Sequence, residues 1–256
     1  MNAPSLTVTA LAGVPTVAAG ADLAGIAIAG IATSGIELRD GDILVFAQKV
    51  VSKAEGRRVK LAGVTPSARA VELGRQADKD PRIVELILSE TVEVLRCRPG
   101  AIIVEDRRGM VMAHAGIDAS NVEGDSGEES VLLLPADPDA SAARIRDDIR
   151  ARVGKTIGVI INDSFGRAWR LGTVGTAIGV AGMPGLLDLR GKPDRTGRLL
   201  QTSELGVADE AAAAASLMMG QANEGRPIVH MRGFPYPMTD GSAAELVRPR
   251  QMDLFR

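Results

Sequence analysis

Cysteine is almost absent from this chain. Cys97 is alone among 256 residues, which excludes an internal disulfide and a cysteine metal cluster. Histidine is nearly as scarce, with only His114 and His230. Too few remain for a His/Cys zinc site, so any metal is expected on oxygen ligands. No Ser/His/Asp or Cys/His arrangement can be assembled around them, which disfavours a protein nucleophile. Aromatic residues make up 2% of the chain, so base-stacking surfaces are not expected. The formal net charge is -2, and basic and acidic residues are interspersed. Neither nucleic acid nor an anionic membrane is expected as a partner. No run approaches ~18 uninterrupted apolar residues, so nothing reads as a membrane span. The apolar start, Met1 to Ala19, lacks a Lys/Arg region and carries Pro4, Gly13 and Pro15. It reads as a strand and loop rather than a signal peptide. The cytoplasm is the default location.

What is present is an ordinary globular composition, 45% hydrophobic and 24% charged. A chain of this length suits one large domain or two small ones. Ile43 to Ala47 reads as a strand entered through the turn Asp40-Gly41-Asp42. Helices are expected over Ser67 to Asp78 and from Pro81 to about Glu90. Ile102 to Val104 and Met110 to Ala113 read as a hairpin around the charged turn Glu105 to Gly109. Val131 to Leu134 is a strand closed by Pro135. A helix follows from about Pro138 to Arg152, with Asp137 as N-cap and Ile145 and Ile149 on its apolar stripe. Ile157 to Ile161 and the glycine-rich Val174 to Met183 read as strands. Glu204 to Met219 is the longest helix candidate, stopped by Gly220. Ile228 to Met231 is a last strand, and the tail from Ala243 is expected to be helical in its first half. Residues 119–129 and 189–198 are the softest segments and read as ligand loops. The sum is an α+β protein of mixed and antiparallel sheets with flanking helices, not a doubly wound one.

The densest chemistry lies in Asn162-Asp163-Ser164, directly after an apolar strand and before Gly166, Arg167 and Arg170. Oxygen donors beside arginines suit a hard cation held together with an anionic substrate. The competing reading is a helix N-cap, with residues 167–170 as a first turn anchored by Trp169. Lys49 and Lys53 are four apart, so a helical turn puts them on one face, where an anion would relieve their repulsion. The alternative is an exposed helix with Lys53 and Glu55 in water. Asp118 and Asn121 could converge on one point, or form only an Asx turn. The loop Met219 to Pro227 could offer backbone amides to phosphate or ribose, or be a surface turn. Gly154-Lys155-Thr156 is not a Walker A loop. Ile149 stands where glycine is required, and the segment follows a helix and opens a strand. Gly154 reads as a helix C-terminal glycine.

Five segments in order carry a family resemblance over essentially the whole chain. They are Gly41 to Val45 leading to Val51 to Arg57, Ala115 to Asn121, Leu134 to Ala142, Asp163 to Arg167, and Glu245 to Pro249. Together they resemble the coenzyme F420-0:L-glutamate ligase family. That resemblance implies a family-specific ligase fold, an intertwined homodimer and a GTP-dependent reaction. L-Glutamate would be joined to a carboxylate on the lactyl-phosphate arm of F420-0, and further glutamates added through γ-carboxyl links. Two divalent cations, Mg²⁺ or Mn²⁺, are implied, with K⁺ a further expectation. By the same resemblance Asp118 and Asp163 would hold one cation, and Ser164 and Gln221 the other. Ser164 stands where a threonine is usual, which keeps the hydroxyl. Val14, Pro15, Thr16, Val17, Gln48, Lys49, Lys53 and Asn121 would contact GTP. So would the loop Met219, Gly220, Gln221, Ala222, Asn223, Glu224, Gly225 and Arg226. Lys53 joins Asp118 and Asp163 as a catalytic candidate. A ligase domain over residues 1–256, without the flavin-binding domain some bacterial members carry, is expected. An amide ligase for another acid, or a non-catalytic GTP sensor, are the alternatives.

Overall fold

The structure, a computed structural model, describes residues 3–118 and 129–254. In chain order the first elements are β1 (Thr7–Ala10), α1 (Leu23–Thr33), β2 (Ile43–Ala47), α2 (Gln48–Ala54) and β3 (Arg58–Lys60). Next come α3 (Ala68–Ala77), α4 (Pro81–Ser89), β4 (Thr91–Arg98), β5 (Ala101–Asp106), β6 (Val111–Ala113) and β7 (Ser130–Leu132). The remainder are α5 (Pro138–Val153), β8 (Gly158–Arg167), β9 (Arg170–Ala181), β10 (Leu187–Asp188), β11 (Glu204–Leu205), α6 (Val207–Met219) and β12 (Ile228–Arg232).

A mixed sheet with strand order β1-β12-β2-β8-β9 forms the centre. Only β2 and β8 pair in parallel within it. Strand β2 and the first half of β8, through Ile161, are near-continuous apolar runs because the sheet is covered there on both faces. Leu44, Phe46, Val159 and Ile161 meet α1 and α5, while Ile43, Val45 and Ile160 meet α6. Each fully buried side chain of this size contributes about 2–3 kcal/mol of transfer free energy. A second body packs α3 and α4 against β4 and β5 through Leu73, Val84, Ile87, Ile102 and Val104.

The chain between Val174 and Met183 is glycine-rich for a steric reason. Ile161 pairs with Gly179 but Asn162 pairs with Ala177, so Ile178 is an extra residue, a β-bulge. The bulge lets Ala177 and Val180 both face α6 while Ile178 and Ala181 face α1 and α5. A Cβ on Gly179 would stand 2.4 Å from the Pro138 carbonyl oxygen, and one on Gly175 would stand 2.5 Å from that of Ala212. Both helices therefore lie directly on the backbone of β9.

Several expectations are corrected. The strand from residue 157 does not stop at Ile161 but runs through the polar cluster to Arg167, paired with β9. Residues 167–170 are the turn of that hairpin, not the start of a helix. Trp169 has φ 65 and is 89% exposed, so it anchors nothing in the core. The longest helix is α5, with 16 residues, and α6 has 13 because Glu204 and Leu205 pair with β10. The tail forms 3₁₀ turns over Ala243–Leu246 and Arg250–Met252. Helix α1 and strand β4 were not legible. Helix α1 is apolar nearly all round and shows no stripe, and irregularities in the β4 pairing between Thr91 and Glu93 and between Val94 and Arg96 break its period of two.

Gly179→Ala is expected to lower unfolding free energy by about 1–3 kcal/mol, as forced overpacking does. Gly166→Ala, with open space around it, serves as the comparison, and urea unfolding of both variants checks this.

Candidate active site

Four chain segments meet at one edge of the central sheet. Strands β2 and β8 are parallel, so their C-terminal ends lie together, with Ala47 opposite Asn162. Strand β1 runs the same way as β2, because both are antiparallel to β12. Its exit, residues 11–17, therefore reaches the same edge, as does the entry to β12 from residues 220–227. The edge beyond the carboxyl ends of parallel strands is a general ligand position in such sheets.

A cleft of about 360 Å³ opens there. Val14, Pro15, Thr16, Val17, Gln48, Lys49 and Lys53 line it, as do Asp163 and Ser164. From the later loop Met219, Gly220, Gln221, Ala222, Glu224, Gly225 and Arg226 complete it. Asn223 belongs to the same loop but is not part of the lining. Asn121 lies outside the described residues. Asp118 stands at the rim, with its Oδ2 2.7 Å from the Lys49 Nζ. Two backbone hydrogen bonds with Leu132 fix its position: Asp118 N–H donates at 2.9 Å and Leu132 N–H at 2.8 Å.

Helix α2 starts directly where β2 ends. It is not the exposed helix of the competing reading. Gln48, Val50, Val51 and Ser52 are buried, and Ser52 Oγ donates to Gln48 Oε1 at 2.9 Å. Glu55 accepts from Ser141 and from Arg144, which ties α2 to α5. Lys49 and Lys53 share the face that lines the cleft. Burial depresses the Lys53 ammonium below its ordinary value, and repulsion from Arg58 and Lys49 adds to this.

Asp163 behaves in the opposite sense. Burial pushes its carboxyl up from 3.8 to about 6, and the Asp118 charge works in the same direction. The Ser164 N–H, donating to its Oδ1 at 2.8 Å, and the charges of Lys49 and Arg108 oppose the shift without cancelling it. A buried carboxyl whose ionisation a neighbouring carboxylate opposes is under-neutralised, which is the electrostatic state a hard cation corrects. The donor set thus fits one divalent ion. Ser164 Oγ donates to Gln221 Oε1 at 2.9 Å. Both are neutral oxygen donors, so a second cation there fits only if substrate oxygens bring the negative charge. Among the described residues no group of three or more His, Cys, Asp or Glu side chains is placed to hold a metal.

The 219–226 loop differs from a bare cradle of amides. Gly220 has φ 75, and a Cβ there would stand 2.2 Å from the Glu224 carboxyl carbon. Glu224 folds back and its Oε2 accepts from the Ala222 N–H at 2.8 Å. That amide is occupied by the protein's own carboxylate.

Asn162, read from the sequence as one of the oxygen donors of the cluster, was given no role of its own. It is buried, its amide contacts Met219 Sδ at 3.6 Å, and its Oδ1 has no hydrogen-bond partner among the described residues. Its place directly before Asp163 was the only signal available. Among the described residues no helix is long and apolar enough to cross a membrane.

A family model described as F420-0:Gamma-glutamyl ligase matches residues 13–233. The Coenzyme F420:L-glutamate ligase of Methanothermobacter thermautotrophicus is 44% identical over 246 residues, covering 95% of this chain and 96% of the relative. The protein of the same name from Archaeoglobus fulgidus is 41% identical over 244 residues, covering 95% and 94%. That of Methanococcus maripaludis strain C7 is 45% identical over 219 residues, covering 86% of each. These matches place the chain among ligases, a class of enzyme. It belongs to the F420-0:gamma-glutamyl ligase family.

The Asp163 shift has a stability consequence. A carboxyl whose folded value exceeds its unfolded one carries no penalty below about 3.8 and the full penalty above about 6. Asp163→Asn removes that penalty. Without divalent cations the variant is expected to be more stable than the unaltered protein by on the order of 2 kcal/mol near neutral pH, an advantage that vanishes towards about pH 4. Urea unfolding of both across this range checks the sign, and an advantage that shrinks as pH rises would refute it.

Proposed function

We propose that this chain joins L-glutamate to coenzyme F420-0 in a GTP-dependent reaction and extends the product with further γ-linked glutamates. The observation that carries this reading is the convergence of residues 14–17, 47–53, 162–164 and 219–227 on one cleft with Asp118 at its rim. The names of the relatives supply the acceptor and the amino acid.

In the proposed reaction an acceptor carboxylate oxygen attacks the γ-phosphorus of GTP. An acyl phosphate forms and GDP leaves. The glutamate amine then attacks the acyl carbon, the amide bond forms, and phosphate departs. Such chemistry asks the protein for positioning and charge neutralisation, not for a nucleophile, in keeping with the scarcity of His and Cys. Lys49 and Lys53 place two cations on the cleft wall beside the phosphate path. Asp118, held by Leu132, sets the Lys49 ammonium in place. Asp118 and Asp163 would hold one Mg²⁺ or Mn²⁺, and Ser164 with Gln221 the other. Bound there, the cations supply neutralisation of the phosphate oxygens. The homodimer and a cytoplasmic location are part of the same proposal.

GDP release is expected to require glutamate and F420-0 together, and to stop when a chelator removes divalent cations. GTP binding without turnover under these conditions would favour a sensor instead. Asp163→Asn is expected to lower turnover by at least about a hundredfold with the fold intact. Near-normal ligation by this variant at saturating Mn²⁺ would count against the site. Lys53→Ala is expected to raise the half-saturating GTP concentration by about tenfold or more, read from initial rates at fixed F420-0 and glutamate.

A further inference from the structure

A second cavity, of about 940 Å³, lies between the β8–β9 hairpin and the β4-β5-β6 sheet. It is larger than the nucleotide cleft, and nothing in the proposed handling of GTP uses it. Its sheet wall presents Val94, Ile103 and Met112 beside Glu93, and Asp253 also lines it. Its hairpin wall carries Arg167 and Arg170, and Arg96 faces them from β4. Arg167 donates to the Leu171 carbonyl at 3.2 Å and Arg96 to that of Leu95 at 2.7 Å. Among the described residues no carboxylate pairs with Arg96, Arg167 or Arg170. Arg250 also lines the cavity but is neutralised by Glu93 and Glu105.

We propose that this cavity seats the acceptor, with Arg167 and Arg170 binding the phosphodiester that stands beside its reacting carboxylate. The assignment rests on the ligase reading. Free glutamate is far too small to need such a volume, whereas an extended ring system with a phosphate-bearing arm matches a site of this size. Apolar strands suit the rings, and guanidinium forks suit the phosphodiester oxygens. Position along the strand supports the same order. Arg167 lies four residues beyond Asp163 on β8, about 13 Å at ~3.3 Å per residue. An arginine reaching back and a cation held on Asp163 close most of that span. In the acceptor only a few bonds separate phosphorus from carboxylate. The two groups would then be gripped from adjoining stretches of one rigid ribbon.

The test is the R167A/R170A double variant. The acceptor KM is expected to rise by about tenfold or more, with the KM values for GTP and glutamate unchanged. Calorimetric titration of F420-0 reads the cavity without turnover and should show the same loss of affinity. R167K/R170K, which keeps the charge but not the fork, should recover part of it. An unchanged F420-0 affinity in a folded double variant overturns the assignment. So does an equal rise in all three KM values, or a changed mass by light scattering, since the arginines would then be structural. Absence of F420-0-dependent GDP release by the unaltered chain overturns the ligase reading instead, and the titration still decides the cavity.

Discussion

The parallel pairing of β2 with β8 is the constraint on which the rest depends. It lays Ala47 beside Asn162, so the first turn of α2 and the polar stretch of β8 emerge side by side. Antiparallel pairing would have sent Lys49 and Asp163 to opposite edges of the sheet. Parallel pairing needs a crossover, and here the intervening chain supplies the α3–α4 body and α5. Part of that long connection, Asp118 bonded to Leu132, returns to the same edge. The connection therefore closes the site as well as covering the sheet.

The charges at this edge are deliberately unbalanced. Burial disfavours ionisation of both Lys53 and Asp163, although one is a cation and the other an anion. Lys49 is shared, since it pairs with Asp118 and also lies near Asp163 and Lys53. A core salt bridge would settle both partners in their charged forms. Here each side keeps a deficit that an incoming ligand of opposite sign can satisfy. In the proposed reaction, phosphate would answer the lysines and a divalent cation the carboxylates, which is what phosphoryl transfer brings to a site.

Much of the fold was legible because it rests on strong local signals. The run from Ile43 to Ala47 is a buried strand at those residues, and Asp137 caps α5 by accepting from the Ala140 N–H at 3.0 Å. Gly154 closes α5 in the left-handed region at φ 67. What was hidden depended on tertiary context. Helix α1 has no polar face because even its exposed positions Ala29 and Ala32 are apolar, and β4 loses its alternation at its bulges. The site was legible as a set of segments, through their resemblance to one family, but not as geometry. No pattern in the chain foretold that Glu224 would occupy the Ala222 amide, or that Glu55 would be drawn into α5 rather than left in water.

The reading of Asp163 as a strand end failed for an instructive reason. Strand β8 has ten residues and β2 has five. Their pairing stops at Asn162, while β9 continues beside β8 to Arg167. Asp163 is thus the first residue with a ladder partner on one side and the cleft on the other. An apolar side chain would gain little there, and the newly exposed backbone edge requires partners of its own. The Asp163 carboxylate meets part of that need by accepting from the Ser164 N–H. The polarity change in the sequence therefore marks where a neighbouring strand stops, not where its own does. By continuing, β8 gives the carboxylate a rigid two-stranded support that a loop would lack, and it carries Arg167 outward on the same support.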